Sequence, residues 1–122
     1  MAATDQVDPR SFLPLTPLAF QVLLALADAE RHGYGIIREV DHRTDGLIKL
    51  RTGTLYTLLQ RLQEEGLITS AAQELAETDD SRRKYYALTP LGRGVLTAEA
   101  TRLQSLVGEA QRKRVLEKPS QV

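Results

Sequence analysis

The side chains of this sequence best suited to chemistry stand along residues 52–66, TGTLYTLLQRLQEEG. At about 100° per residue, hydroxyl, amide and guanidinium groups fall together on one side of a helix. Groups of this kind bond to base edges and to phosphates. The base-edge candidates are Thr54, Thr57, Gln60 and Arg61, and the phosphate candidates are Thr52 and Tyr56. For Tyr56 the sequence leaves a second interpretation open, in which the ring packs inside and the hydroxyl stays at the rim.

The other side of the same stretch is apolar, which is what fixes such a helix to a core. Its large residues recur at the i, i+3, i+4, i+7 spacing of one helix face: Leu55, Leu58, Leu59 and Leu62. Thr52 or Gly53 is expected to cap the start, and Gly66 stands where a left-handed C-terminal cap is expected. The stretch therefore predicts one amphipathic helix with a polar face toward solvent.

A second set of candidates follows this helix in a predicted hairpin. Strands are expected over residues 67–72 and 83–88, separated by a polar loop over 73–82. The basic residues at its base are phosphate or minor-groove candidates: Arg82, Arg83 and Lys84. Tyr85 and Tyr86 alternate faces along the second strand, so one is expected inside and the other near the surface.

Two further helices and a short strand are predicted before residue 52. Thr16 as the N-cap and Pro17 as the first-turn proline predict a helix that begins at residue 17 and runs to about residue 29. Its apolar residues cover nearly the whole circumference, which indicates burial on more than one side. A second helix is expected over residues 36–43, and residues 47–50 are predicted as a short strand.

The last predicted helix is longer than a domain of this size requires. Thr89 and Pro90 repeat the capping pair, and the helix can run to about residue 116, a length of roughly 40 Å. A continuous apolar stripe on an overlong helix favours a partner helix. Together with the first helix, this predicts a homodimer whose contacts come from Leu18, Val22, Leu96, Leu103, Leu106, Val107 and Ala110.

Composition limits the class of protein. The 122 residues suit one domain, and the absence of cysteine excludes disulfides and thiolate metal sites. We expect a flexible lead-in over residues 1–11, a folded domain over 12–89, the long helix over 90–116 and a frayed tail over 117–122. No apolar run is long enough to span a membrane, so a cytoplasmic protein with no membrane partner is expected.

The net charge is zero, and the motifs argue against an enzyme or a cofactor site. Sixteen basic residues balance sixteen acidic ones, although residues 31–61 carry an excess of three positive charges. The GYG at residues 33–35 lacks the full phosphate-binding fingerprint. His32 and His42 match no metal-ligand spacing, and no catalytic triad pattern is present. We therefore predict a protein without catalytic activity, metal or cofactor.

The order of elements is that of a winged helix-turn-helix domain, mainly α with a small β-hairpin, followed by a long dimerisation helix. The chain also resembles the PadR-type transcriptional regulators, in particular their short branch with a single C-terminal helix. The matching stretches are HGYGI at residues 32–36, GTLYTLLQRLQEEGLI at 53–68 and RRKYYALTPLGRGVL at 82–96.

The resemblance implies a homodimeric transcriptional regulator that binds double-stranded DNA. Two reading helices about 34 Å apart would make the operator an inverted repeat. The family further implies a repressor, released by a small hydrophobic or aromatic effector. An alternative from another class stays open, because the net charge is zero: a winged-helix module that binds protein, or a regulator that depends on a partner for DNA affinity.

Overall fold

Four α-helices, one 3-10 helix and a three-stranded sheet are present in the computed structural model, which describes residues 7–72 and 84–117. The α-helices are α1 (Pro17–Ala25), α2 (Gly33–Arg43), α3 (Thr52–Glu64) and α4 (Pro90–Arg112). The strands are β1 (Arg31–His32), β2 (Ile68–Ala72) and β3 (Lys84–Leu88), and the 3-10 helix covers Pro9–Phe12. Within the described part, no helix combines the length and apolarity that a membrane crossing needs.

The helix caps follow the sequence signals with one exception. The Thr16 side chain accepts a hydrogen bond from the Ala19 amide, and the Thr89 side chain accepts one from the Gly92 amide. Gly66 adopts a φ of 82°, which confirms the left-handed turn after α3. The predicted cap of α3 was wrong, since the N-cap residue is Arg51 and no side chain bonds to the first turn.

The sheet has the order β1-β3-β2, and both pairings are antiparallel. The hairpin of β2 and β3 confirms the predicted wing strands, with Ile68 opposite Leu88. The strand predicted at residues 47–50 was wrong, because these residues form no ladder and Leu47 is 88% exposed. The free edge of β3 is taken instead by β1, with Arg31 opposite Tyr86.

Several element limits also differ from the expectations. Residues 9–11 of the expected flexible lead-in belong to the 3-10 helix, where Asp8 caps Arg10. Helix α1 ends at residue 25 and not near 29, and α2 begins at residue 33, because His32 caps it through its side chain. Helix α4 ends at residue 112, four residues before the predicted end.

The core lies between α1, α2, α3 and the start of α4, against the sheet. The four leucines of α3 are its centre, as their spacing predicted, and Tyr86 is the inward tyrosine of β3 at 4% exposure. Val22 is fully buried and Leu96 is 6% exposed within the single chain. These two side chains therefore serve the subunit's own core, which accounts for their apolar character without a partner.

Candidate nucleic-acid interface

The outward face of α3 carries the predicted base-edge candidates. Thr54, Thr57, Gln60 and Arg61 are all exposed, as is Thr52 at the start of the helix. Gln60 donates to Glu64 over 3.4 Å, and Arg61 lies 3.9 Å from Glu65, so both contacts are long. The side chains on this face are therefore free to exchange these weak contacts for those of a ligand.

Tyr56 packs against α2 with part of its side chain exposed, and its role as a phosphate contact stays a prediction. Its ring packs on the first residue of α2, where a Cβ on Gly33 would lie 2.2 Å from the Tyr56 hydroxyl. The side chain is still 46% exposed. Burial raises the pKa of the Tyr86 hydroxyl, and the nearby Tyr56 adds to this effect. Tyr56 thus packs against α2 and keeps part of its surface toward solvent.

His32 holds the wing strand to the start of α2. Its Nδ1 accepts a hydrogen bond from the Gly35 amide at 3.0 Å, and its ring lies nearly perpendicular to the Tyr85 ring, with centroids 5.2 Å apart. The same residue pairs with Tyr85 across the sheet. Because β1 and α2 are continuous, the wing strand has a defined position relative to α2.

The basic residues at the wing base are described only in part. Lys84 is exposed at the beginning of β3, where Ala72 is its partner on β2. Arg82 and Arg83 lie outside the described residues. Their role as phosphate contacts therefore stays a prediction from the sequence.

A groove lies between α1 and the outward face of α3. The sequence did not predict that residues of α1 would line it. The groove has a volume of about 770 Å³ and joins the start of α1 to the outward face of α3. Its lining comprises Thr16, Pro17, Leu18, Gly53, Thr54, Thr57, Leu58 and Arg61. Leu18, expected at a dimer contact, thus lies beside Thr54 and Thr57. Sequence spacing within α3 could not indicate this neighbour, since the groove depends on how α1 packs.

Among the three arginines around α2, two are ion-paired within the described part of the chain and one is not. Arg31 donates to the Ala25 carbonyl at 2.8 Å and lies 3.6 Å from Glu39, while Arg43 pairs with the same glutamate at 3.1 Å. These arginines stabilise the packing of α2, so they add little to an external basic face. Arg38 instead has its guanidinium carbon 5.7 Å from the centroid of the Tyr34 ring.

A second apolar groove lies on α4, away from α3. It measures about 570 Å³ and is lined in part by Leu24, Leu96, Leu103 and Val107. Leu106 is 54% exposed and Val107 is 45% exposed, whereas Leu103 and Ala110 are half-buried. Leu103, Leu106, Val107 and Ala110 were all predicted to lie at a dimer contact.

Glu99 is a buried charge that sequence analysis missed. It is 2% exposed on α4 and accepts hydrogen bonds from the Leu15 amide at 3.0 Å and from the Arg102 guanidinium at 2.6 Å. The bond from Arg102, with that from Leu15, lowers the pKa of the Glu99 carboxyl. No cluster of three or more His, Cys, Asp or Glu side chains placed to hold a metal ion occurs among the described residues.

Comparison with known structures supports the fold. A transcriptional regulator from Clostridium thermocellum matches with a TM-score of 0.67 and 26% identity, covering 88% of this chain and 93% of that one. Bacillus subtilis PadR, crystallised in complex with operator DNA, matches with a TM-score of 0.60 and 24% identity. That match covers 68% of this chain and 47% of the other.

Sequence comparison reaches the same group of proteins. The transcriptional regulator Rv3488 of Mycobacterium tuberculosis is 34% identical over 88 residues, which make up 72% of this chain and 77% of that protein. The model of the transcriptional regulator PadR-like family matches residues 22–98, a span that includes α2, α3 and the wing strands. The chain with this winged-helix fold and this exposed helix face belongs to the PadR-like family of transcriptional regulators.

Proposed function

We propose that this protein is a homodimeric, sequence-specific DNA-binding repressor. The observation that carries the proposal is the division of α3 into two faces, with the four leucines buried and Thr54, Thr57, Gln60 and Arg61 exposed. A helix that is held rigidly from behind presents its polar side chains at a fixed orientation, as reading a major groove requires. The wing strands stand beside it, where phosphate contacts would set the register.

The relatives support DNA as the partner. Bacillus subtilis PadR shares this fold and was crystallised with operator DNA. On this chain, the base contacts would come from Thr54, Thr57, Gln60 and Arg61, and the phosphate contacts from Thr52, Tyr56, Arg82, Arg83 and Lys84. The operator would be an inverted repeat, because a two-fold dimer presents its reading helices symmetrically.

The dimer part of the proposal rests on α4. Its 23 residues span about 34 Å at 1.5 Å per residue, and its second half carries Leu103, Leu106 and Val107 on partly exposed positions. A second copy would cover this apolar surface. A small hydrophobic or aromatic effector that favours a dimer with another spacing between the reading helices would release DNA by shifting populations.

The test of specific reading is Gln60→Ala. Binding sites selected from random duplexes should show a changed preference at one operator position, and affinity for the original site should fall between fivefold and about a hundredfold. Ser105→Ala is the control, because Ser105 is exposed on α4 and does not line the apolar groove there. Selected sites that are identical for the wild type and both variants would remove Gln60 from the base contacts. A wild type without sequence preference would contradict the proposal itself.

A further inference from the structure

The first turns of α2 form a concave basic surface that the proposed DNA contacts do not include. The cavity there has a volume of about 520 Å³ and is lined by Arg31, His32, Tyr34, Gly35, Arg38, Glu39 and His42. Tyr34 is 62% exposed although it is a large aromatic residue. The ring stands open to solvent beside His32 and Arg38, where it is accessible to another molecule.

The charge of this surface is positive. Glu39 is the one carboxylate among its lining residues, and it pairs with Arg31 at 3.6 Å and Arg43 at 3.1 Å, while Arg31 also pairs with Asp28 at 3.3 Å. The positive charge that remains is that of Arg38. Among residues 7–72 and 84–117, no acidic side chain makes an ion pair with Arg38. Its guanidinium therefore offers a full positive charge, and an anionic group is the ligand that this charge favours.

The side chain of Arg38 is placed at the beginning of α2 and not beside its middle. Long helical side chains point back toward the N-terminus, and the guanidinium carbon of Arg38 lies 5.7 Å from the Tyr34 ring centroid, one turn earlier. Contact with the ring reduces the number of positions that the guanidinium samples. The charge is thus held near the residue where α2 begins.

The surface is continuous with the proposed DNA contacts on both sides. On one side, the Tyr56 hydroxyl of α3 lies against Gly33, the residue before Tyr34. On the other side, the rings of His32 and Tyr85 join the start of α2 to the wing strand that begins at Lys84. A sugar-phosphate backbone that passes from Tyr56 toward the wing base would cross Tyr34 and Arg38.

We infer that Tyr34 and Arg38 bind a backbone phosphate of the DNA duplex and so position α3 in its groove. This inference rests on the proposed DNA-binding function and adds a contact surface to it. The two side chains would have different parts. Arg38 would neutralise the phosphate charge, whereas Tyr34 would orient the guanidinium and offer a hydroxyl to the backbone.

The experiment measures the affinity for an operator duplex as a function of salt concentration, by fluorescence anisotropy. Each neutralised phosphate contributes about 0.9 to the slope of log affinity against log salt. Arg38→Ala should lower the magnitude of that slope by about 0.9, and the affinity at 0.15 M salt should fall roughly fivefold. Because a phosphate contact carries no sequence information, the same loss is expected with an unrelated duplex.

Two variants separate the charge from the ring. Arg38→Lys keeps the charge and should keep the slope. Tyr34→Phe keeps the ring under the guanidinium, so it should leave the slope unchanged and reduce the affinity only modestly. The control is Arg112→Ala, which removes the same charge at the last residue of α4, with the oligomeric state of every variant checked by sedimentation.

The outcomes are distinct. If Arg38→Ala matches Arg112→Ala in slope and affinity while the wild type binds its operator, the inference is wrong and the proposed function stands. A loss confined to the operator, with the unrelated duplex unaffected, would also overturn it, because it would make Arg38 a base contact. A wild type that does not prefer its operator would reject the proposed function instead.

Discussion

Gly92 and Gly53 both lie near the start of a helix, but a methyl group would meet very different surroundings at the two positions. A Cβ on Gly92 would lie 1.9 Å from the Leu67 carbonyl oxygen, which is backbone and cannot rotate away. A Cβ on Gly53 would have no atom within 4 Å. Gly92 is therefore required by the close approach of α4 to the residue before β2, whereas Gly53 is exposed and unconstrained.

The expected result for Gly92→Ala is a loss of about 2 kcal/mol or more in the free energy of unfolding, since relief needs a backbone shift. Gly53→Ala should instead leave the stability unchanged or raise it by up to about 1 kcal/mol, because alanine favours helix. Urea unfolding at pH 7 measures both. Equal stability of the two variants would show that α4 can move away from Leu67 at little cost.

At the level of elements, the parts that could be predicted were those determined by local periodicity. The leucine spacing of α3, the capping pairs at Thr16 and Thr89, and the hairpin of β2 and β3 are all encoded within a few residues of where they occur. Strand β1 could not be predicted in this way. Two residues carry no period, and Arg31 and His32 are a strand only because β3, more than fifty residues later, offers them a free edge.

The error at residues 47–50 has the complementary cause. Leu47, Ile48 and Leu50 have the composition of a strand, but the central strand β3 already has a neighbour on each side, and residues 47–50 pair with no strand of the sheet. The turn before them is set by positive φ values at Asp45 and Gly46. Leu50 then turns inward to the core, and Leu47 stays in solvent. Whether residues 47–50 form a strand therefore depended on the strands available to pair with them, and not on their local β-propensity.

Glu99 joins two elements that are far apart in the sequence. It accepts a hydrogen bond from the amide of Leu15, in the segment between the 3-10 helix and α1, and so fastens that segment to α4. Arg102 completes the contact from the next turn. Neither the burial of this carboxylate nor its bond with Leu15 could be inferred from spacing, because Leu15 precedes it by 84 residues.

Glu99→Gln should lower the stability at neutral pH on the order of 1 kcal/mol, because one carboxylate bond to Arg102 is lost. The pKa of Glu99 is lowered in the folded chain, so its ionised form stabilises the fold above the ordinary glutamate pKa of about 4.3. That stabilisation disappears as the pH falls below this value toward the folded pKa. The difference between wild type and variant should therefore shrink between pH 5 and about pH 3.

Thermal unfolding across that pH range measures the convergence. Ser105→Ala, an exposed change on the same helix outside the apolar groove, serves as the control and should run parallel to the wild type. The stability difference between Glu99→Gln and wild type could instead stay constant down to pH 3. In that case the charge of the carboxylate does not help to hold the Leu15 segment to α4, and the loss of stability comes from the changed side-chain packing.

For the whole molecule, the neutral net charge is informative about how it would hold DNA. Sixteen acidic residues match sixteen basic ones, and the structure assigns Arg31 and Arg43 to ion pairs inside the domain. Few basic side chains are therefore left to contact DNA phosphates. A single subunit would therefore bind weakly and with a shallow salt dependence, and tight binding would require two subunits on one operator.

The dimer is tested through the groove on α4. Leu103→Glu with Val107→Glu puts two charges on the apolar surface that a second copy would cover, and both side chains keep some exposure within the single chain. Sedimentation should show monomers with the helix content retained by circular dichroism, and operator affinity should fall about a hundredfold or more as two half-sites become independent. Ser105→Glu, on an exposed position of the same helix turn, should remain dimeric. A double variant that stays dimeric would place the contact elsewhere and leave the length of α4 without an explanation.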